Sequence, residues 1–209
     1  MRNAVFTGEI RIAFPEGLRL QVLKFSMHTP TLLTALDFHA PHDAEERMHR
    51  EKIIAFVGRN IQRWWQRSTL EGHITSSAWV MDSSKSFALL LHHAKLDCWL
   101  QPGGHLDDSD DSPAAGALRE ATEETGLRAL QLADKNIFDV DVHHIPARGA
   151  EPAHLHYDLR YLIISTDSAV TISDESLGAR WIAVDQLARP PFERSISRMA
   201  EKTLYREFK

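Results

Sequence analysis

Three glutamates near the middle of the chain carry the strongest chemical signal in this 209-residue sequence. Glu120, Glu123 and Glu124 are spaced at i, i+3 and i+4, so on a helix their carboxylates share one side within about one turn. Carboxylates this close repel one another at neutral pH unless a cation lies among them. Hard divalent cations such as Mg²⁺ and Mn²⁺ prefer oxygen ligands, so the spacing predicts a metal site.

The residues around the glutamates predict a helix with defined ends. Ser112 can cap the start, and Pro113 is favoured at the first helical position. Gly126 can adopt the left-handed conformation that ends a helix. Between them an apolar stripe runs beside the acidic one, formed by Ala114, Ala117, Leu118 and Ala121. Small alanines allow close approach to a sheet, so we expect a rigid support for the carboxylates.

Two further features complete the predicted site. Arg119 is within i+4 reach of Glu123, so its guanidinium can orient an acid. Gly103 and Gly104 precede the acidic loop 107–110 and allow close approach of the backbone. A backbone carbonyl oxygen can therefore join the ligand set. A solvated acidic helix face is the simpler alternative, but the glycine pair, the arginine, the cap and the glycine stop together disfavour it.

The segment from Gly104 to Leu127 resembles the Nudix signature. That signature has a glycine, five residues, a glutamate, seven residues and then R-E-U-x-E-E-x-G-U, where U is a bulky aliphatic residue. The second half matches Arg119-Glu120-Ala121-Thr122-Glu123-Glu124-Thr125-Gly126-Leu127. In the first half, six residues separate Gly104 from Asp111, and we expect Asp111 to replace the glutamate. The extra residue is expected to be absorbed in the acidic loop 107–110.

The resemblance implies both a fold and an activity. The fold would be α+β, a Nudix-type α/β/α sandwich with a mixed sheet around the acidic helix. The activity would be metal-dependent hydrolysis of a diphosphate bond in a nucleoside diphosphate linked to another group X, with Mg²⁺ or Mn²⁺ as cofactor. The implied metal ligands are Glu120, Glu123, Glu124 and the Gly104 carbonyl, and Arg119 would orient the acids. The general base would be Glu123, Glu124 or a later acid, Glu151 or Glu175, and the sequence does not choose among them.

Histidines form a second candidate set. The sequence has 12 of them, and His143, His144, His154 and His156 fall on two adjacent predicted strands. His154 and His156 share a strand face, and His105 follows the glycine pair, so these three are candidate substrate-binding residues. One interpretation is that these histidines contact phosphate or metal. The other is that they are hydrogen-bonded imidazoles on a half-exposed strand face. Both remain open at this point.

Periodicity predicts the remaining elements. Helical patterns cover 31–38 and a longer stretch capped by Asp43, with Glu46 as the capping-box partner. A period of two predicts strands at 73–81, 86–93, 99–101, 137–145, 154–165 and 179–184, and a helix over 193–208 closes the chain. We divide the chain into 1–28, an N-terminal extension for which a native start at Met27 is one hypothesis, a helical segment 29–70 packing on the core, and a Nudix domain 71–209.

Composition limits the partners. The formal net charge is −5 and we find no basic stripe, so a nucleic-acid polymer is not expected. The sequence contains no apolar run of membrane-spanning length and no signal peptide, so we expect a cytoplasmic location without membrane contact. The expected partner is a small nucleoside diphosphate derivative, and a homodimer is a further hypothesis.

Two alternatives belong to other functional classes. An isomerase of the isopentenyl-diphosphate type would need Cys98, the only cysteine, as its active residue, yet Cys98 lies in an apolar run without a supporting partner. A non-catalytic, ligand-sensing Nudix protein would need a DNA-binding domain, and only about one helix remains beyond Val184. The hydrolase is therefore the preferred hypothesis.

Overall fold

A computed structural model describes residues 29–149 and 151–207, so the predicted extension 1–28 lies outside the described residues. The helices are α1 Thr29–Phe38, α2 Ala44–Arg59, α3 Pro113–Thr125, α4 Val184–Leu187 and α5 Arg194–Glu207. The strands are β1 Gly72–Asp82, β2 Phe87–His93, β3 Cys98–Leu100, β4 Gly103–His105, β5 Leu130–Leu132, β6 Asp139–Ile145, β7 His154–Ser165 and β8 Ser176–Ala183. None of the helices described in these ranges is long and apolar enough to cross a membrane.

One mixed sheet contains all eight of these strands. Strands β3, β2, β1, β7 and β5 form a continuous path, while β4 pairs with β1, β6 with β7 and β8 with β2. β1 and β7 are parallel along 11 residue pairs, and the other pairings are antiparallel. The mixed sheet with helices confirms the predicted α+β fold class. Strands β4 and β5 and helix α4 were not predicted, because elements of three or four residues rarely show a period.

Helix α2 begins as predicted and ends earlier than its apolar pattern indicates. The Asp43 side chain accepts a hydrogen bond from the Glu46 backbone N–H at 2.8 Å, which confirms the cap. The helix ends at Arg59, although apolar residues continue at helical spacing to Trp65. Trp64 lies beyond the helix in the core, where its indole N–H donates to the Thr29 hydroxyl at 3.0 Å. A turn therefore carries the tryptophan inward, which periodicity alone cannot distinguish from a continued helix.

The sheet packs against helices on both faces. One apolar cluster joins α1, α2 and α3 to β1, β6 and β7, with the stacked rings of Phe56 and Tyr157 inside it. A second cluster joins α4 and α5 to β1 and β2 around Trp79. Burial of these two apolar faces is the main force holding the helices to the sheet. β1 contributes to both clusters because its side chains alternate between the two faces.

A buried charge network crosses the interface between β6, β7, α2 and α5. Asp139 is fully buried and accepts hydrogen bonds from Arg198 at 2.9 Å, Arg160 at 3.2 Å and Lys202 at 3.1 Å. Lys202 also pairs with Glu46, which α2 buries completely. Such a network stabilises the fold only while each charge keeps its partners, because an uncompensated buried charge is costly.

Asp139→Asn is expected to lower the free energy of unfolding by about 3–5 kcal/mol, because it leaves three buried cations without their shared anion. Urea unfolding at neutral pH measures this change. Asp174→Asn, at an exposed position, is the matched control and should alter stability by less than about 0.5 kcal/mol. Equal stability of the two variants would contradict the role assigned to the network.

Candidate active site

Helix α3 holds the three glutamates in the manner that its sequence predicts. The Ser112 hydroxyl accepts a hydrogen bond from the Ala115 backbone N–H at 3.2 Å, and Gly126 has a φ of 66° at the other end. Ala114, Ala117 and Ala121 are buried in the core cluster. The apolar stripe therefore fixes α3 against β1, and the acidic side faces an adjoining pocket.

Arg119 is the centre of the polar contacts on this helix. Its guanidinium donates to Glu120 at 2.9 Å and to Glu123 at 3.1 Å, which confirms the expected i+4 contact. It also donates to the His105 backbone carbonyl at 2.9 Å and to both carboxylate oxygens of Asp110 at 3.0 Å. Two parallel hydrogen bonds to one carboxylate fix the plane of the guanidinium. Arg119 therefore ties the acidic loop, the glycine-rich turn and α3 together.

The prediction that Asp111 takes the place of the signature glutamate is wrong. Asp110 occupies that place, because it is only 5% exposed and makes the two hydrogen bonds to Arg119, whereas Asp111 is exposed. Five residues separate Gly104 from Asp110, as in the signature, and the extra residue lies between Asp110 and Arg119. Aspartate still replaces the signature glutamate. The one-residue insertion lies at the start of α3 instead of in the acidic loop 107–110.

The glutamates occupy unequal environments. Glu124 accepts a hydrogen bond from the Gly103 backbone N–H at 2.9 Å. Burial, followed by repulsion from Glu120, Glu175 and Glu123, raises the pKa of Glu124 to about 7. Burial also raises the pKa of Glu120, although Arg119 acts against that rise. Glu123 is the most accessible of the three, with a side chain 58% exposed.

The glycine pair lies in contact with these acids. A Cβ atom on Gly104 would lie 2.7 Å from the Glu120 carboxylate, and one on Gly103 would lie 2.4 Å from the Ser77 hydroxyl oxygen. Gly103 therefore admits no larger residue, because its Cβ would also lie 2.6 Å from the Ser77 backbone, whereas a Cβ on Gly104 would require the end of the Glu120 side chain to move. The Gly104 backbone and the Glu120 carboxylate thus lie side by side in one small region. All the donors there are hard oxygen atoms, so the region suits Mg²⁺ or Mn²⁺.

A pocket of about 350 Å³ opens over this region. Its lining comprises Arg67, Gly103, Gly104, His105, Leu106, Asp107, Arg119, Glu120, Glu124 and Glu175. Of the two later acids, Glu175 lines the pocket. Glu151 lies outside that lining and is 3.6 Å from Arg67 and 4.0 Å from His154. Arg67 was not among the predicted site residues, because it belongs to no recognisable motif.

The candidate histidines also come together, and a fourth one joins them. We call His73, His105, His154 and His156 the histidine cluster. His73 is at its centre, with ring centroids 4.9 Å from His105, 5.0 Å from His154 and 4.8 Å from His156. The Nε2 atoms of His154 and His156 are 3.2 Å apart. His73 was missed because it joins the others through strand register, directly opposite His156.

Three members of the histidine cluster, His73, His105 and His156, have lowered pKa values and are held in their neutral form. His73 is 1% exposed, and burial followed by the neighbouring imidazoles and Arg67 lowers its pKa to about 3. Burial is also the main reason that the pKa values of His105 and His156 fall to about 4 and about 2. Both ring nitrogens of His73 and Nε2 of His105 have no hydrogen-bond partner among the described residues. Each such buried polar group costs about 1–3 kcal/mol.

Stability should therefore decline in mildly acidic solution. The unfolded chain binds a proton on His73 below pH 6.5, while the folded protein binds one only near pH 3. A folded-state pKa below the unfolded value means that the free energy of unfolding falls as pH decreases from 6.5, by about 1.4 kcal/mol per pH unit for one such group. Urea unfolding at a series of pH values measures this slope.

The control for this prediction compares slopes between variants. His73→Asn removes one titrating group and should make the decline below pH 6.5 shallower, whatever it does to absolute stability. His144→Asn, at an exposed position on β6, should leave the slope unchanged. A wild-type stability that is constant between pH 7 and pH 5 would contradict the prediction.

Comparisons with solved structures agree with this architecture. An Ap4A hydrolase from C. elegans, crystallised as a binary complex, aligns with a TM-score of 0.51 at 17% identity, covering 65% of this chain and 96% of that one. The dihydroneopterin triphosphate pyrophosphohydrolase of E. coli aligns with a TM-score of 0.51 at 14% identity, covering 64% and 95%. At these identities the likeness concerns the fold.

The family assignment comes from the sequence match. No curated protein matches this chain. A family model described as NUDIX domain, however, matches residues 72–202, which is more than half of the 209 residues. That range includes the glycine pair, Asp110, Arg119 and the glutamates of α3, so the match and the geometry converge on one site. This chain is therefore a member of the Nudix hydrolase family.

Proposed function

We propose that this protein hydrolyses a diphosphate bond in a nucleoside diphosphate linked to another group X, with Mg²⁺ or Mn²⁺ as cofactor. The observation that carries the proposal is the pocket over α3, where Glu120 and Glu124 lie together with raised pKa values. A divalent cation among these acids would offset their repulsion and neutralise charge on phosphoryl oxygens. Glu120, Glu123, Glu124 and the Gly104 carbonyl are the proposed ligands.

The protein's own groups would bind and orient the diphosphate. Arg119 keeps Glu120 and Glu123 in position through its hydrogen bonds, and Asp110 keeps Arg119 in its plane. Arg67 brings a second positive charge to the pocket wall, where it can contact a phosphate oxygen. His105 lines the same wall, and His154 and His156 remain predicted substrate contacts.

Glu124 is the preferred candidate for the general base. A base near the attacking water works best when its pKa lies near the operating pH. In the metal-free site, burial and then its acidic neighbours raise the pKa of Glu124 to about 7, and the hydrogen bond from the Gly103 N–H fixes the orientation of its carboxylate. Glu123 is more exposed, and Glu175 is an alternative within the pocket lining. Glu151 is a weaker candidate because it lies outside that lining.

A second hollow next to the pocket offers room for the group X or the nucleoside. It is lined by Trp65, Gln66, Arg67, Ser68, Leu106, Asp107 and Asp108, and so shares three residues with the first pocket. Trp65 donates its indole N–H to Asp108 at 2.7 Å, which fixes the ring at the side of the hollow. An aromatic face beside a diphosphate site can stack on a base. Phe138, Tyr157 and Tyr161 are in the core instead, each less than 5% exposed.

The alternative functions have less support. Burial, followed by Glu193 and Asp97, raises the pKa of the Cys98 thiol, which disfavours the reactive thiolate that an isomerase mechanism would need. A ligand-sensing protein would not need a carboxylate with a pKa near neutrality among metal-ligand oxygens. The proposed hydrolase would use both the metal-ligand oxygens and the carboxylate whose pKa is near neutrality.

The test is a panel of substrates with separated products. The purified protein is incubated with Mg²⁺ or Mn²⁺ and with nucleoside diphosphate derivatives, dinucleoside polyphosphates or NADH. Release of a nucleoside monophosphate or phosphate is expected, and only when a divalent cation is present. Glu124→Gln should lower kcat/KM by roughly a hundred- to ten-thousandfold, because the amide can neither accept a proton nor carry the ligand charge.

Folding controls keep that result interpretable. Glu123→Gln should also reduce turnover strongly, whereas Glu51→Gln, at an exposed position on α2, should leave it unchanged. All three variants are expected to retain the wild-type circular dichroism spectrum. Normal turnover in both Glu123→Gln and Glu124→Gln would refute the metal assignment, and metal-independent cleavage would refute the proposed class of reaction.

The corrected position of the insertion gives a separate test. Asp110→Asn removes the anion that orients Arg119, so Mn²⁺ affinity and kcat/KM are each expected to fall by roughly ten- to a hundredfold. Asp111→Asn changes an exposed neighbour of the same type and should alter neither quantity. Mn²⁺ titration followed by electron paramagnetic resonance measures affinity without substrate. Equal losses in the two variants would contradict the pairing of Asp110 with Arg119.

A further inference from the structure

We propose that the histidine cluster is a second metal site, which binds a transition-metal ion of the zinc class. This site is separate from the carboxylates of α3, so the inference goes beyond the proposed hydrolysis. His73, His105 and His156 each offer one ring nitrogen, and these three atoms lie within 4.8 Å of one another. His154 lies beside them as a candidate fourth ligand.

The spacing is close to that of a zinc site. Zn–N distances of about 2.0–2.1 Å in a tetrahedron place neighbouring nitrogens about 3.3–3.4 Å apart. The Nε2 atoms of His154 and His156 are already 3.2 Å apart. The ligand nitrogens of His73, His105 and His156 lie within 4.8 Å of one another. Small side-chain rotations would bring them to the tetrahedral spacing. The strand pairing needs no change, since His73 and His156 are opposite each other on β1 and β7.

The protonation of the cluster suits metal binding. The Nδ1 atom of His154 is 2.9 Å from the Pro152 carbonyl, an acceptor only, so Nδ1 carries the proton and donates. Its Nε2 therefore carries a lone pair, which accepts the hydrogen bond from the Nε2–H of His156 at 3.2 Å. Metal-binding histidines commonly donate their second nitrogen to a backbone carbonyl in this way. To bind a cation through Nε2, neutral His156 would carry its proton on Nδ1 instead, which leaves the Nε2 lone pairs of both rings available to the ion.

The unpaired nitrogens supply independent evidence for a ligand. His73 is 1% exposed, yet neither of its ring nitrogens has a hydrogen-bond partner among the described residues, and Nε2 of His105 is in the same condition. Buried polar atoms are almost always paired in folded proteins. A metal ion among His73, His105 and His156 would give each of these side chains a bond through one nitrogen.

Ligand type separates this site from the glutamate site. Imidazole nitrogen favours zinc and its transition-metal neighbours, whereas carboxylate and carbonyl oxygens favour Mg²⁺ and Mn²⁺. His105 belongs to the histidine cluster and also lines the pocket over α3. An ion held by the cluster would therefore add positive charge at the edge of the phosphate site. The two ligand sets would take different metals within one connected region.

The experiment measures metal content without substrate. Full-length protein is stripped with a chelator, dialysed against Zn²⁺ in excess Mg²⁺ at neutral pH and analysed by mass spectrometry for metals. One retained zinc ion per chain is expected. Replacement with Co²⁺ should give the strong visible absorption of a tetrahedral site with nitrogen ligands, and Zn²⁺ should raise the melting temperature.

Matched variants decide the location. His105→Asn and His156→Asn should each weaken Zn²⁺ binding by roughly tenfold or more, whereas the exposed His144→Asn and the carboxylate variant Glu120→Gln should not. Melting curves recorded without metal show whether each variant folds. Absence of zinc from the wild-type protein would overturn the proposal. Zinc that is lost in Glu120→Gln and kept in the histidine variants would overturn it too, because the ion would then lie at α3. Neither outcome bears on Mg²⁺-dependent turnover, which is measured separately.

Discussion

The backbone pairing of β1 with a strand on each side is the constraint on which both proposed metal-ligand sets depend. β1 is antiparallel to β4 along one edge and parallel to β7 along the other. This arrangement places Thr75 between His105 and Asp158, and it places His73 opposite His156. Because strand register is maintained by a whole ladder of hydrogen bonds, a shift of one residue would move every side chain to the other face.

Alternation along β1 then divides the chemistry between two faces. Thr75 and Ser77 donate hydroxyl hydrogens to Asp158 at 3.0 Å and 2.9 Å, on the face that also carries His73. Ser76 points the other way and donates to the Pro113 carbonyl at the start of α3, at 2.6 Å. One strand therefore anchors the glutamate helix on one side and the imidazoles on the other. Strand β4, which contains the glycine pair and His105, connects the glutamate helix with the histidine cluster.

Helix α3 was predictable because its signals are local in the sequence. The features that the sequence left undetermined depend on tertiary contacts. The cap at Ser112, the alanine stripe and the stop at Gly126 depend on neighbouring residues, so their types and spacing were sufficient. The choice between Asp110 and Asp111 depended instead on which carboxylate the loop turns towards Arg119, and both residues have the same chemistry. His73 belongs to the cluster only through pairing with β7, a strand more than 80 positions away in the chain.

The balance of charge explains why the pocket over α3 would attract a cation and the buried charge network would not. In the core, Asp139 is surrounded by Arg160, Arg198 and Lys202, so its charge is compensated internally. The pocket over α3 has the opposite imbalance, because Arg119 and Arg67 face a larger number of carboxylates, among them Glu120 and Glu124. Burial is the main cause of the raised pKa of Glu124, and repulsion from the neighbouring carboxylates adds to it. In the proposed site a divalent cation would supply the missing positive charge, and the oxygen ligands at the pocket would favour Mg²⁺ or Mn²⁺.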